Sequence, residues 1–193
     1  MANDVRNEFS FMCEAPYISK IRLKISELKH QLTHSDLETV LWPSGVPTSL
    51  EYDRRIRFTD EYGDDFGFRS AWGPCTAVQI RLCQILADVA PNVAVINLHS
   101  EEFGQAVGAG ISVALDGKFV TLRSDEDLSA RISEIREQLT ECEEVIESDD
   151  ETLDEEMAIS EEIDELVDDT KHNHLDQLRV KIGIGTFVLL EYI

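Results

Sequence analysis

No lysine occurs between Lys118 and Lys171. Within that gap, residues 125–169 hold 21 Asp or Glu and only two arginines, Arg131 and Arg136. The 193-residue chain has 39 acids against 17 Lys or Arg and a formal net charge of −22, so this one segment carries −19 of it. A shortage of cations on this scale excludes long-range attraction to nucleic acid or to anionic lipid. Halophilic adaptation would spread acid over the whole surface, yet residues 1–124 are close to balance, with 16 acids and 12 Lys or Arg.

Other absences narrow the class further. The chain has no apolar run of about 18 residues, the length a spanning helix needs. The opening MANDVRNEFSF has neither a basic start nor an apolar stretch and does not read as a secretion signal. The expected location is the cytoplasm. Four cysteines stand at 13, 75, 83 and 142, none in a CxxC pair and none beside a histidine at metal-site spacing. Buried free thiols are the expectation, with no metal site and no cofactor.

What is present reads as alternating strands and helices. Val5, Phe9, Phe11 and Cys13 alternate as a strand. Ile18, Ile21, Ile25, Leu28 and Leu32 recur at helical spacing. Ser35 with Glu38 has the form of a capping box for a short helix ending at Trp42. Leu50, Tyr52, Ile56 and Phe58 predict a strand, and the DEYGDD turn leads to another over Phe66 to Trp72. Val78, Leu82, Ile85, Leu86 and Val89 give the next helix its apolar face. The continuous run Val93 to Leu98 reads as a central strand. After the glycine-dotted GQAVGAGISVAL, Asp116-Gly117 turns the chain into Lys118 to Leu122.

From Ser124 the pattern changes. Leu128, Ile132, Ile135, Leu139, Cys142 and Ile146 follow at spacings of 4, 3, 4, 3 and 4, a heptad seam. Thr152 with Glu155 caps a second helix, whose thinner apolar face is Leu153, Ile159, Ile163, Leu166 and Val167. An antiparallel helical hairpin is the simplest product. Val180, Ile182, Ile184, Val188, Leu190 and Tyr192 then alternate as an apolar C-terminal strand. The expected organisation is a core domain over 1–122, an acidic helical hairpin inserted over 123–176, and a strand over 177–193 that rejoins the sheet. The fold class expected is α+β. The order strand, helix, strand, strand, helix, strand matches the ferredoxin-like split βαβ, an antiparallel sheet with helices on one face.

Two short motifs carry a resemblance. Asn3 and Asn7 in MANDVRNEFSF, and Phe68, Ala71, Trp72 and Pro74 in FRSAWGP with Ser70 in place of a threonine, make the first 122 residues resemble the YubB-like proteins of plasmids and phages. That resemblance implies a ferredoxin-like domain and a mobile-element origin. It brings no catalytic residues, and the acidic insertion departs from the family's shorter pattern.

Candidate chemistry is sparse. His99, Glu101 and Glu102 follow the central strand without a nucleophile or further ligand spaced beside them. Gly108-Ala109-Gly110 lacks the strand–GxGxxG–helix setting of a dinucleotide site and suits a tight strand crossing better. Trp72 could offer a ring for stacking, but packing under a helix start is the commoner role. Arg54, Arg55 and Arg57, with Arg69 and Arg81, form the one basic concentration, and Arg54, Arg55 and Arg57 are expected to neutralise neighbouring acids. The chain therefore does not read as an enzyme.

The acidic hairpin makes the stronger case. A helix of ~20 residues is about 30 Å long, so −19 on such a pair is roughly one charge per 1.6 Å. Duplex DNA carries one per ~1.7 Å. Glutamate favours helix whatever its role, and acidic faces are commonly just solvated. A merely solvated hairpin would nevertheless intersperse lysine for i,i+4 pairs, and this one has none. The expected partner is a basic protein, such as a nucleic-acid-binding defence or competitor protein whose cationic surface is occluded as by a DNA mimic. The candidate contact residues are Glu134, Glu137, Glu141, Glu144, Glu147, Asp154, Glu155, Glu162 and Glu165. A homodimer through the Leu128–Ile146 seam is the alternative.

Overall fold

The computed structural model describes residues 4–47, 55–59, 66–101, 104–115, 117–143, 151–184 and 187–190, with backbone alone at 138–143 and 151–156. Strand β1 (Asp4–Cys13) alternates as its sequence requires. Val5, Asn7, Phe9, Phe11 and Cys13 are buried on one face. A 3-10 turn at Ala15–Tyr17, with Pro16 at its start, leads into α1 (Ile18–His34), which buries Ile21, Ile25, Leu28 and Leu32. Next comes α2 (Leu37–Leu41); its N-cap is Asp36 and no side chain caps it, so the expected box between Ser35 and Glu38 does not form. The chain continues through β2 (Arg57–Thr59), β3 (Phe66–Ala71), α3 (Thr76–Ala87), β4 (Val93–Glu101), β5 (Val107–Leu115), β6 (Lys118–Glu126), α4 (Ser129–Glu143), α5 (Glu151–Ile182) and β7 (Val188–Leu189).

The fold is α+β. Six strands stand in the order β2-β3-β1-β4-β5-β6, and β7 pairs with the end of β1 at Met12 and Cys13. Every described pairing is antiparallel. The parity of β1 and β4 sorts the sheet into two apolar faces. On one, Phe9, Phe11, Val93 and Val95 meet α1, α2 and α3 through Ile21, Ile25, Leu41, Val78, Leu82 and Leu86. Phe9 and Phe68 meet edge to face at 5.2 Å, and Phe11 and Phe66 at 5.5 Å. Side chains of this size each contribute about 1.5–3 kcal/mol when fully buried.

Helices do not lie on one face only, as the sequence led us to expect. The second face presents Met12, Ala94, Ile96, Ala109, Ile111 and Val113, and the C-terminal half of α5 covers it with Leu175 and Leu178. An apolar face left to water would forgo that burial, and three strands supply one here.

The expected strand over 177–193 is corrected by the same helix. Residues 177–182 finish α5, Val180 is 84% exposed, and among the described residues of this stretch only Val188–Leu189 pair as a strand. The stretch fits both periods. Leu175, Leu178 and Ile182 sit at helical spacing, while Val180, Ile182 and Ile184 alternate. Helix prevails because it extends an existing helix onto an uncovered sheet. Gly183 ends it with φ of +74°, where its N–H reaches Arg179 O at 3.0 Å.

The helix pair α4–α5 meets the sheet at a small apolar junction. Leu128 just before α4, Ile132 of α4 and Val107 of β5 are buried there, with Ile163, Leu166 and Val167 of α5 against them. The lower part of the predicted seam is thus in contact, while the side chains of Leu139, Cys142 and Ile146 lie outside the described residues. Helix α4 begins after Asp127, whose carboxylate accepts the Ser129 N–H at 2.9 Å; Ser124, expected as the cap, is still on β6. Hydrogen bonding from Ser129, its side chain first and its N–H second, holds the Asp127 carboxyl below its ordinary value. Among the described residues no helix is long and apolar enough to cross a membrane.

Candidate functional site

Four of the nine candidate carboxylates can be located in full. Glu134 and Glu137 on α4, and Glu162 and Glu165 on α5, are all exposed. Arg131, Glu134, Ile135, Glu162 and Leu166 line one cleft between the two helices, which brings Glu134 and Glu162 together. Glu161, Asp164, Asp168 and Asp169 are exposed on α5 as well. No ion pair to Glu134, Glu137, Glu161, Glu162 or Glu165 is found among the described residues. The side chains of Glu141, Asp154 and Glu155, and all of Glu144 and Glu147, lie outside the described residues.

Where α5 reaches the sheet its chemistry changes. Lys171 is only 3% exposed. Its ammonium lies 3.2 Å from Asp168 and 3.7 Å from Glu8 of β1, and His174 approaches Glu126 at 3.8 Å. Beyond this point α5 is apolar on the side facing the sheet.

Sheet register sets Arg57 opposite Arg69 and Arg69 opposite Arg6, a row of three guanidinium-bearing side chains across β2, β3 and β1. Like charges facing each other across strands repel. Asp4 relieves Arg69 at 2.8 Å and Glu8 relieves Arg6 at 2.8 Å. Arg6 and Arg69 then share a cavity of about 350 Å3 with Arg136, Asp4, Glu101 and Asp164, where both signs of charge bridge the sheet to α4–α5. Arg55 stands over the Trp72 ring, 5.9 Å from its centroid. Arg54 lies outside the described residues.

The two motif segments meet in space. Asn7 is fully buried, and its Nδ2 donates to Val5 O (3.0 Å), Phe68 O (3.3 Å) and Ser70 Oγ (2.9 Å). Its Oδ1 accepts the Cys75 N–H and Asn97 Nδ2, each at 3.0 Å. Ser70 Oγ donates to Gly73 O at 2.7 Å. The turn from β3 into α3 is therefore pinned to the middle of the sheet. Trp72 rides on that turn with φ of +70°, the one non-glycine residue at positive φ among those described. It is 61% exposed, which corrects the expectation that it packs in the core. Strand parity explains the miss. Phe66, Phe68 and Ser70 point inward, and position 72 would follow if the strand continued, but it ends at Ala71.

His99 lies beside Asn7 in the register of β1 and β4 and is fully buried. Neither ring nitrogen has a hydrogen-bond partner among the described residues. Burial pushes its pKa down to about 4, against the smaller opposing pull of Asp125. The ring is neutral at physiological pH. Cys13, Cys75 and Cys83 are buried free thiols, and burial raises all three, Cys83 to about 12. None has the lowered pKa of a reactive thiolate.

The glycines on β5 have steric reasons. A Cβ on Gly108 would collide with the backbone of Ser124 and Asp125 on β6. One on Gly110 would stand 2.7 Å from Gln79 Oε1, whose amide nitrogen donates to Val95 O at 3.1 Å. Both positions serve close packing of strand and helix.

Comparison with known protein families, with curated proteins and with solved structures finds no match. The likeness to the YubB-like proteins thus rests on the quoted residues alone.

Proposed function

We propose that this chain is a non-enzymatic binding protein of a mobile element, and that α4 and α5 form an acidic hairpin that occludes a basic, nucleic-acid-binding surface of a host defence or competitor protein. The observation that carries this reading is the set Glu134, Glu137, Glu161, Glu162 and Glu165, exposed and without ion pairs among the described residues. Carboxylates so placed are available to guanidinium and ammonium groups of a partner, where charge complementarity raises association rate and specificity. The order β2-β3-β1-β4 with α1 and α3 on one face supports a ferredoxin-like core, and the Asn7–Ser70–Cys75 unit gives the two YubB-like motifs a shared structural role. A second reading, a homodimer through the same helices, is favoured by Met157, 56% exposed on α5.

The test is capture of basic proteins from host lysate, with wild type and with Glu134, Glu137, Glu162 and Glu165 all changed to Lys. We expect specific partners that are lost in the variant and released as salt rises. Capture by the variant equal to wild type would overturn the reading. Sedimentation of the wild-type chain alone addresses the homodimer, since a monomer at high concentration excludes it.

A further inference from the structure

A groove of about 620 Å3 opens where β3 turns into α3. Arg55, Ser70, Trp72, Thr76 and Arg123 line it, and no carboxylate does among the described lining residues. In a chain with 39 acids and 17 Lys or Arg, a groove whose described wall residues include two arginines and no acid stands apart. The volume falls within the range of small-ligand sites.

Trp72 makes the groove specific. A tryptophan in the left-handed region gains nothing in local backbone energy, and here it buries little of its ring. The hydrogen bonds from the Cys75 N–H to Asn7 Oδ1 and from Ser70 Oγ to Gly73 O hold the turn that presents it. An exposed indole on a fixed turn is a platform on which a planar heteroaromatic ring can stack. Arg55 over that ring adds a second planar group. Across the groove, Arg123 gives its Nε to Asp125 at 3.2 Å, and no partner for its remaining nitrogens is found among the described residues. Guanidinium groups of this kind favour the paired oxygens of a phosphate.

We propose that this groove binds a nucleoside monophosphate, with the base stacked on Trp72 and the phosphate held by Arg123 and Arg55. A mononucleotide fits the charge of the molecule better than a polymer does. The acidic α4–α5 pair repels a long polyanion along its length, but acts on only one or two charges of a single nucleotide.

Titration calorimetry at low salt tests this with AMP, GMP, CMP and UMP, with inorganic phosphate, and with a short oligothymidylate. We expect saturable binding of at least one monophosphate, weakened about tenfold or more by Trp72→Ala, the order of loss that follows removal of a base-stacking ring, and likewise by Arg123→Gln. Trp72→Gly guards against misfolding, because glycine suits the positive φ at this position; it should bind as poorly as Trp72→Ala while the near-ultraviolet signal of the buried Trp42 stays unchanged. Absence of binding by all four monophosphates overturns the proposal. So does binding that survives both Trp72→Ala and Arg123→Gln, inorganic phosphate binding as tightly as any nucleotide, or an oligonucleotide binding far more tightly than its monomer.

Discussion

The sheet and the α4–α5 pair treat charge in opposite ways. Within the sheet, three arginines have counter-charges within reach: Arg69 with Asp4, Arg6 with Glu8 and Arg123 with Asp125. Ser70, the Cys75 N–H and Asn97 are tied there into a network centred on Asn7. Along α4 and the first half of α5, Glu134, Glu137, Glu161, Glu162 and Glu165 face solvent without such partners among the described residues. Lys171 marks the border, buried where α5 passes from one regime to the other. Charge in the sheet helps to assemble the fold. Charge on the helix pair opposes its own helices at i,i+3 and i,i+4, and so points to a requirement outside folding.

The sharpest way to break this contrast is to remove the hub of the sheet. Asn7→Leu leaves the Cys75 N–H, the Asn97 amide and the Phe68 carbonyl without their partner in a buried site. Orphaned buried groups cost about 1–3 kcal/mol each, so the total loss should reach about 3–5 kcal/mol in urea unfolding. By contrast, Glu134→Gln should change stability by no more than about 0.5 kcal/mol, as expected of a surface position. Comparable losses from the two changes would show that the division is wrong.

Acid is the next largest lever and acts through His99. Its folded pKa lies at about 4, below the ordinary 6.5. Between those values the unfolded chain binds a proton that the folded chain refuses, so stability is full above about pH 6.5 and falls as pH drops toward 4. The loss from this group approaches about 3 kcal/mol at the acid end. Thermal melts followed at Trp42, in the sheet's own core, should show the decline, and His99→Phe should flatten it. An unchanged slope in that variant would mean the acid sensitivity arises elsewhere.

Much of the sheet was legible because its signals are local. Alternation located β1, helical spacing located α1 and α3, and the apolar run over Val93–Leu98 located β4. The C-terminal run was misread because 180–184 satisfies two periods at once, and the choice depends on a sheet face assembled from β1, β4 and β5, distant in sequence. The acidic set was legible from composition alone. The row of Arg57, Arg69 and Arg6 was not, because only strand register brings residues so far apart to one line. Trp72 escaped for a related reason. Nothing in its own identity announces a left-handed backbone, and Asn7, which pins its turn through Cys75, and Arg123, which lines the same groove, come from other strands.

The smallest expected effect bears most directly on the contrast. Raising ionic strength from ~0.01 M to about 1 M shortens the Debye length from about 30 Å to about 3 Å. On the helix pair, repulsion between Glu134 and Glu137, Glu161 and Glu165, and Glu165 and Asp169 should weaken, each relief being worth about 0.2–0.5 kcal/mol. In the sheet the same salt weakens attractions, and the half-exposed Arg69–Asp4 pair, with side chains each 46% exposed, contributes at most about 1 kcal/mol. The two regions should therefore respond with opposite signs. Ellipticity at the helical band should rise modestly with salt while the near-ultraviolet signal of Trp42 holds or melts slightly earlier. A fall in helical signal would mean that the carboxylates of α4 and α5 are held by cations of their own chain, and such a face would not be open to a basic partner.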